Sequence, residues 1–217
     1  MKSARFTKGQ VMEDEAVKQE YIDKIINLEW EMFSSVQNAG RRADCQDDPE
    51  TFRIMRYSQE CEWPEALLAS YHSDLVGAKA AGRNLMAEKY AWMMEATFPE
   101  EFQEIVHLLP PVDAVSLMLI EKIVAINVGW KLELCAKFPK LSGQGRAVCS
   151  SQDSLQETSF ETYLRGELKT YSTESIALLY DFTMRQSNAG VNGTAVTLLN
   201  QVKQYGFDAL EQAEQAQ

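Results

Sequence analysis

Glycine and proline are scarce in this chain, 11 and 6 of 217 residues. That argues against collagen-like, linker-like and loop-dominated architectures. Positive charge is outnumbered: 21 Lys and Arg stand against 32 Asp and Glu, for a net charge of −11 and a pI near 4.7. A polyphosphate backbone is repelled by such an average field, so no nucleic acid is expected as partner. No run approaches the roughly 18 apolar residues of a membrane span, so no membrane is expected either. The opening MKSARFTKGQVMEDE has no apolar stretch of the kind found in a secretory leader, which leads to the expectation of a cytoplasmic protein. The four cysteines, Cys45, Cys61, Cys135 and Cys149, show no CxxC or metal-finger spacing and are expected to be reduced thiols. There is no P-loop, no GxGxxG after a strand, no GxSxG elbow and no HExxH. Nothing therefore specifies a cofactor or a catalytic residue. A single Glu-x-x-His, Glu104 to His107, lacks the second copy that a di-metal bundle requires.

What is present is helical. Ala, Leu, Glu, Lys, Gln and Met, which lose little rotamer freedom in a helix, are abundant. Residues 1–15 are polar and read as a flexible tail, and residues 16–217 as one all-α domain. Val17, Tyr21, Ile25, Leu28, Met32 and Val36 recur every three or four residues, predicting a first amphipathic helix over 16–36. Asp48-Pro49-Glu50 joins an N-cap, a proline suited to the first turn and an acid at the positive helix end. A helix is expected from there to Glu60, others over 64–80, 84–96 and from Pro99, and a long apolar one over 114–138. Thr158-Ser159-Phe160-Glu161 has the form of a capping box with Thr158 as N-cap. Further helices are expected over 159–170, 173–188, 193–203 and 207–214.

Residues 40–56 read GRRADCQDDPETFRIMR, and residues 145–165, GRAVCSSQDSLQETSFETYLR, repeat that statement more faintly. Lys24-Ile25-Ile26 and Trp30 answer Lys122-Ile123-Val124 and Trp130. Ala81-Gly82-Arg83-Asn84 answers Ala189-Gly190-Val191-Asn192, and Phe98 answers Phe207. From Phe52 onward the offset holds at 108 or 109 residues, apart from a displaced leucine pair. This pattern predicts two tandem, weakly similar helical units, about 20–102 and 118–211, related by a pseudo-two-fold axis.

Under that symmetry the two arginine-bearing loops face one another, each leading into a helix N-terminus that favours anions. The expected site for a small anionic ligand comprises Arg41, Arg42, Cys45, Asp47, Asp48, Arg56, Arg146, Asp153, Glu161 and Arg165, since guanidinium offers forked donors to carboxylate or phosphate. Asp47 and Asp153 are the acids left free for chemistry. Against this stands a plain structural role, with Arg56 and Arg165 paired to helix carboxylates such as Glu60, Glu161 or Glu167. Two other functions stay open. One is a metal protein using Glu29, Glu88, Glu95, Glu121, Glu161 and Glu167, although no ligand spacing identifies a metal. The other is a non-catalytic interaction module whose acidic surface docks a basic partner.

The strings CQDDPETFRIMRYSQ, GRNLMAEKYAWMME and SFETYLRGELKTYS resemble the bacterial family of unknown function DUF4125, over about residues 22–211. The resemblance implies a bacterial, cytoplasmic protein. It brings no activity and no site residues.

Overall fold

The computed structural model describes residues 8–37, 42–143 and 145–217, with side chains from residue 14 onward. Among these residues there are eleven α-helices and no strand. They are α1 (Lys8–Ser34), α2 (Pro49–Glu60), α3 (Glu65–Ala80), α4 (Leu85–Thr97), α5 (Pro99–Ile105), α6 (Ala114–Lys137), α7 (Pro139–Gly143), α8 (Phe160–Leu168), α9 (Thr173–Asn188), α10 (Gly193–Gln204) and α11 (Leu210–Ala216). The expected boundaries hold closely for α2, α3, α6 and α9. At the start they do not: α1 begins at Lys8, inside the segment expected to be a loose tail.

Local chemistry explains the ends. Asp48 caps α2 by accepting from Thr51 N, with Pro49 in the first turn. Ser159, not Thr158, caps α8, accepting from Thr162 N at 3.2 Å. Gly82 and Gly190 both carry φ +70° just past α3 and α9, a left-handed conformation that L side chains resist. Asn84 and Asn192 follow them, each capping the next helix and donating its amide N–H to a carbonyl of an earlier helix, Met32 O at 2.8 Å and Trp130 O at 2.9 Å.

The main core gathers Ile22, Ile25 and Ile26 of α1, Leu67, Leu68, Tyr71 and Leu75 of α3, and Ile120, Ile123 and Val124 of α6, with Leu168 and Ile176. A smaller core at the far end joins Leu134, Phe138, Val202, Leu210 and Ala213. The buried face of α1 keeps Ile25 and Met32 of the expected stripe and widens to Ile22, Ile26 and Phe33, whereas Val17 is 39% exposed. On that face, among the isoleucines, lies Glu29 at 0% exposure.

Candidate functional site

Most residues of the two polar loops are engaged in shaping the loops themselves. Arg42 donates to Asp47 Oδ1 at 2.8 Å and to the carbonyls of Ser34 and Gln46 at 2.6 and 2.7 Å, so it closes the C-terminal end of α1. Buried Gln46 assists, donating to Phe33 O and Val36 O, both at 3.0 Å. Asp153 accepts from Ser159 N and from Thr162 Oγ1, tying the second loop to the first turn of α8. Asp47 and Asp153 are thus committed to structure, which corrects the expectation that they are free acids. Glu161 accepts from Ser150 N at 2.8 Å and from Arg165 at 2.9 Å, and these bonds hold its carboxyl below the usual range. Arg165 also grips Glu121 with two bonds, 2.8 and 3.1 Å. Arg41 lies outside the described residues.

Arg56 behaves differently. It lies in the core, 7% exposed, where Nε donates to Glu29 Oε2 at 2.7 Å, Nη2 to Glu29 Oε1, and Nη1 to Glu167 Oε1 at 3.0 Å. Glu60, one turn along α2, has Oε1 3.3 Å from Arg56 Nε. Lys89 of α4 is 3% exposed and places Nζ 3.4 Å from Glu167 Oε2 and 2.7 Å from the Tyr163 hydroxyl. Tyr71 donates to Glu29 at 2.7 Å and Tyr171 to Glu167 at 3.1 Å, their rings 4.4 Å apart. Five helices thus meet on one ionic cluster.

The cluster's electrostatics follow from burial and pairing. Burial alone would raise Glu167, but Arg56 and Lys89 outweigh it and hold the carboxyl at about 2. Burial opposes the charge on Lys89, yet Tyr163 and Glu167 keep it raised. Burial, then the neighbouring carboxylates Glu29 and Glu167, push the phenols of Tyr71 and Tyr171 well up.

At the edge of the cluster lies Tyr90, beside Lys89. Burial pushes the Tyr90 hydroxyl up to about 12, with Lys89 pulling it down, Tyr163 and Cys45 pushing it further up, and Arg146 pulling it down. Cys45, from the first loop, and Arg146, from the second, thus both act on Tyr90 electrostatically. Arg146 is exposed, donates to Thr158 O (3.0 Å) and Thr158 Oγ1 (2.9 Å), and lies 4.8 Å over the Tyr163 ring. Among the described residues it has no carboxylate partner. Two clefts, of about 440 and 380 Å³, lie away from the junction where a groove was expected. The first lies among Asp74, Arg83, Asp113 and Thr173, the second among Leu134, Phe138 and Leu199.

The carboxylates considered for a metal do not converge. Glu29 and Glu167 meet Arg56, Glu88 meets Arg83, Glu95 meets Lys169, and Glu121 and Glu161 meet Arg165. Among the described residues no three His, Cys, Asp or Glu side chains are placed to share a metal ion.

Lys89, Tyr90, Tyr163, Tyr71 and Tyr171 were missed as members of a polar centre. A signal existed: Glu29 interrupts the buried stripe of α1, and Lys89 that of α4, between Leu85, Met86 and Met93. A charge at a core position demands a buried partner.

No helix among the described residues is long and apolar enough to cross a membrane. No curated protein and no solved structure matches the chain. One family model, that of "Protein of unknown function (DUF4125)", matches residues 19–215, and the chain belongs to that family.

Proposed function

We propose that the protein binds a small anionic molecule where its two polar loops meet, between two tandem helical units, on a surface formed by Arg146, Cys45, Tyr90 and Tyr163 and backed by Lys89. The observation that carries this is Arg146: an exposed guanidinium in a chain of net charge −11, seated on an aromatic ring, with no carboxylate partner among the described residues. Its remaining N–H groups suit a carboxylate or phosphate. Arg42, Asp47, Asp48, Asp153, Glu161 and Arg165 support the loops rather than the ligand, and Arg56 stands behind them. The repeated glycine and asparagine geometry after α3 and α9 supports the tandem-unit part of the proposal.

A thermal-shift screen of phosphate, pyrophosphate and small dicarboxylates tests it. A ligand at a hundred times its Kd stabilises by about 2.7 kcal/mol. Arg146→Glu should abolish the shift while leaving the unliganded melting temperature near wild type. An identical shift in that variant refutes the site.

A further inference from the structure

The buried cluster contains three carboxyl groups, Glu29, Glu60 and Glu167, and two cations, Arg56 and Lys89, all at 7% exposure or less. We propose that Glu29 and Glu60 share one proton at neutral pH, and that this proton is a structural part of the joint between α1, α2 and α8, so that the fold is pH-sensitive and loosens as the proton leaves.

Geometry identifies the pair. Glu29 accepts three hydrogen bonds, two from Arg56 and one from Tyr71, and is the carboxylate partner. Glu60 is 0% exposed, and neither of its oxygens receives a hydrogen bond. Arg56 lies 3.3 Å away, but its Nε and Nη2 donate to Glu29 and its Nη1 to Gln59 and Glu167. An ionised Glu60 would be a buried anion without a donor beside a second anion. Protonated, it becomes a donor with Glu29 as acceptor, and the cluster balances at two positive and two negative charges. Burial first, then Glu29, raises the Glu60 carboxyl well above its ordinary range.

The other groups facing this end of α2 do not mimic the effect between pH 5 and 8. Arg56 and Lys89 stay charged, Tyr71 and Tyr171 stay neutral, and Glu167 stays ionised. Burial pushes the Cys61 thiol up to about 11. Lys18 of α1 donates to Cys61 O, and α10 presents the neutral amides of Asn200 and Gln201. Glu62, beside Asn200, is exposed.

The folded state thus binds a proton that the unfolded chain releases above the ordinary Glu value. The associated stability is complete below that value and is lost as pH rises toward the folded one.

Urea denaturation of the full chain and of Glu60→Gln from pH 5 to 8 tests this, because the glutamine amide keeps a donor at the site without a proton to lose. The folded-to-unfolded ratio of wild type should fall relative to the variant by about tenfold per pH unit within the window. Every other ionisable group is common to both proteins, so contributions remote from the cluster cancel. Carbon-13-Glu infrared spectra of wild type at pH 7 should show the carbonyl stretch of a protonated carboxylic acid. Parallel pH profiles, or no such band in wild type, overturn the proposal, and the band decides the matter if Glu60→Gln does not fold.

Discussion

Arg56 and Arg165 each follow one of the two polar loops, yet they live in different media. The Arg56 side chain is 9% exposed, and the carboxylates around it 5% or less. The Arg165 side chain is 25% exposed, and its partner Glu121 55%. Both are ion-paired on short helices. The contrast shows that loop chemistry sets a residue's place along a helix, whereas the packing of distant helices decides whether its charge faces water. Where it does not, the partners become obligatory.

Breaking the buried member should have the largest effect. Arg56→Met leaves Glu29 and Glu167 without their main donor, and urea denaturation should register a loss of about 3–5 kcal/mol. Gly166, next to Arg165, tests what brings α8 so close to α4. A Cβ there would stand 2.8 Å from Met93 Cγ and 3.0 Å from Lys89 O. Gly166→Ala should lower stability by about 1–3 kcal/mol through overpacking, seen as a lower melting temperature.

Glu167 sharpens the comparison through pH. Its folded value of about 2 lies below the ordinary Glu range, so its contribution is present above that range and lost as pH falls from the range toward 2. Glu167→Gln should flatten the acid limb of the stability profile measured by urea midpoint. Asp153→Ala removes the acceptor for Ser159 N and Thr162 Oγ1 and should cost about 1 kcal/mol, in the manner of a lost cap, in the same assay. Arg165→Ala should change stability least, by about 0.2–1 kcal/mol, and less in high salt.

The helices were legible where local chemistry rules: Asp48-Pro49, Phe98-Pro99 and Asn84 mark ends that the structure keeps. Thr158 misled because Ser159 beside it offers the same hydroxyl one step later. The polar centre was half legible. Helix carboxylates such as Glu60, one turn along α2, and Glu167 were expected as alternatives for Arg56, but Lys89 enters only through tertiary packing of α4 on α8. Asp47 and Asp153 looked free because their partners, Arg42 and the first turn of α8, are set by loop conformation rather than by spacing.

The Arg56 to Glu167 bond spans 111 positions. During synthesis the amino-terminal helices must wait for most of the polypeptide to emerge before their two interior cations meet this acid. Completion of the native state is therefore a late event, and a chain truncated ahead of α8 would leave the ribosome with Lys89 lacking its carboxylate and Arg56 held by Glu29 without Glu167.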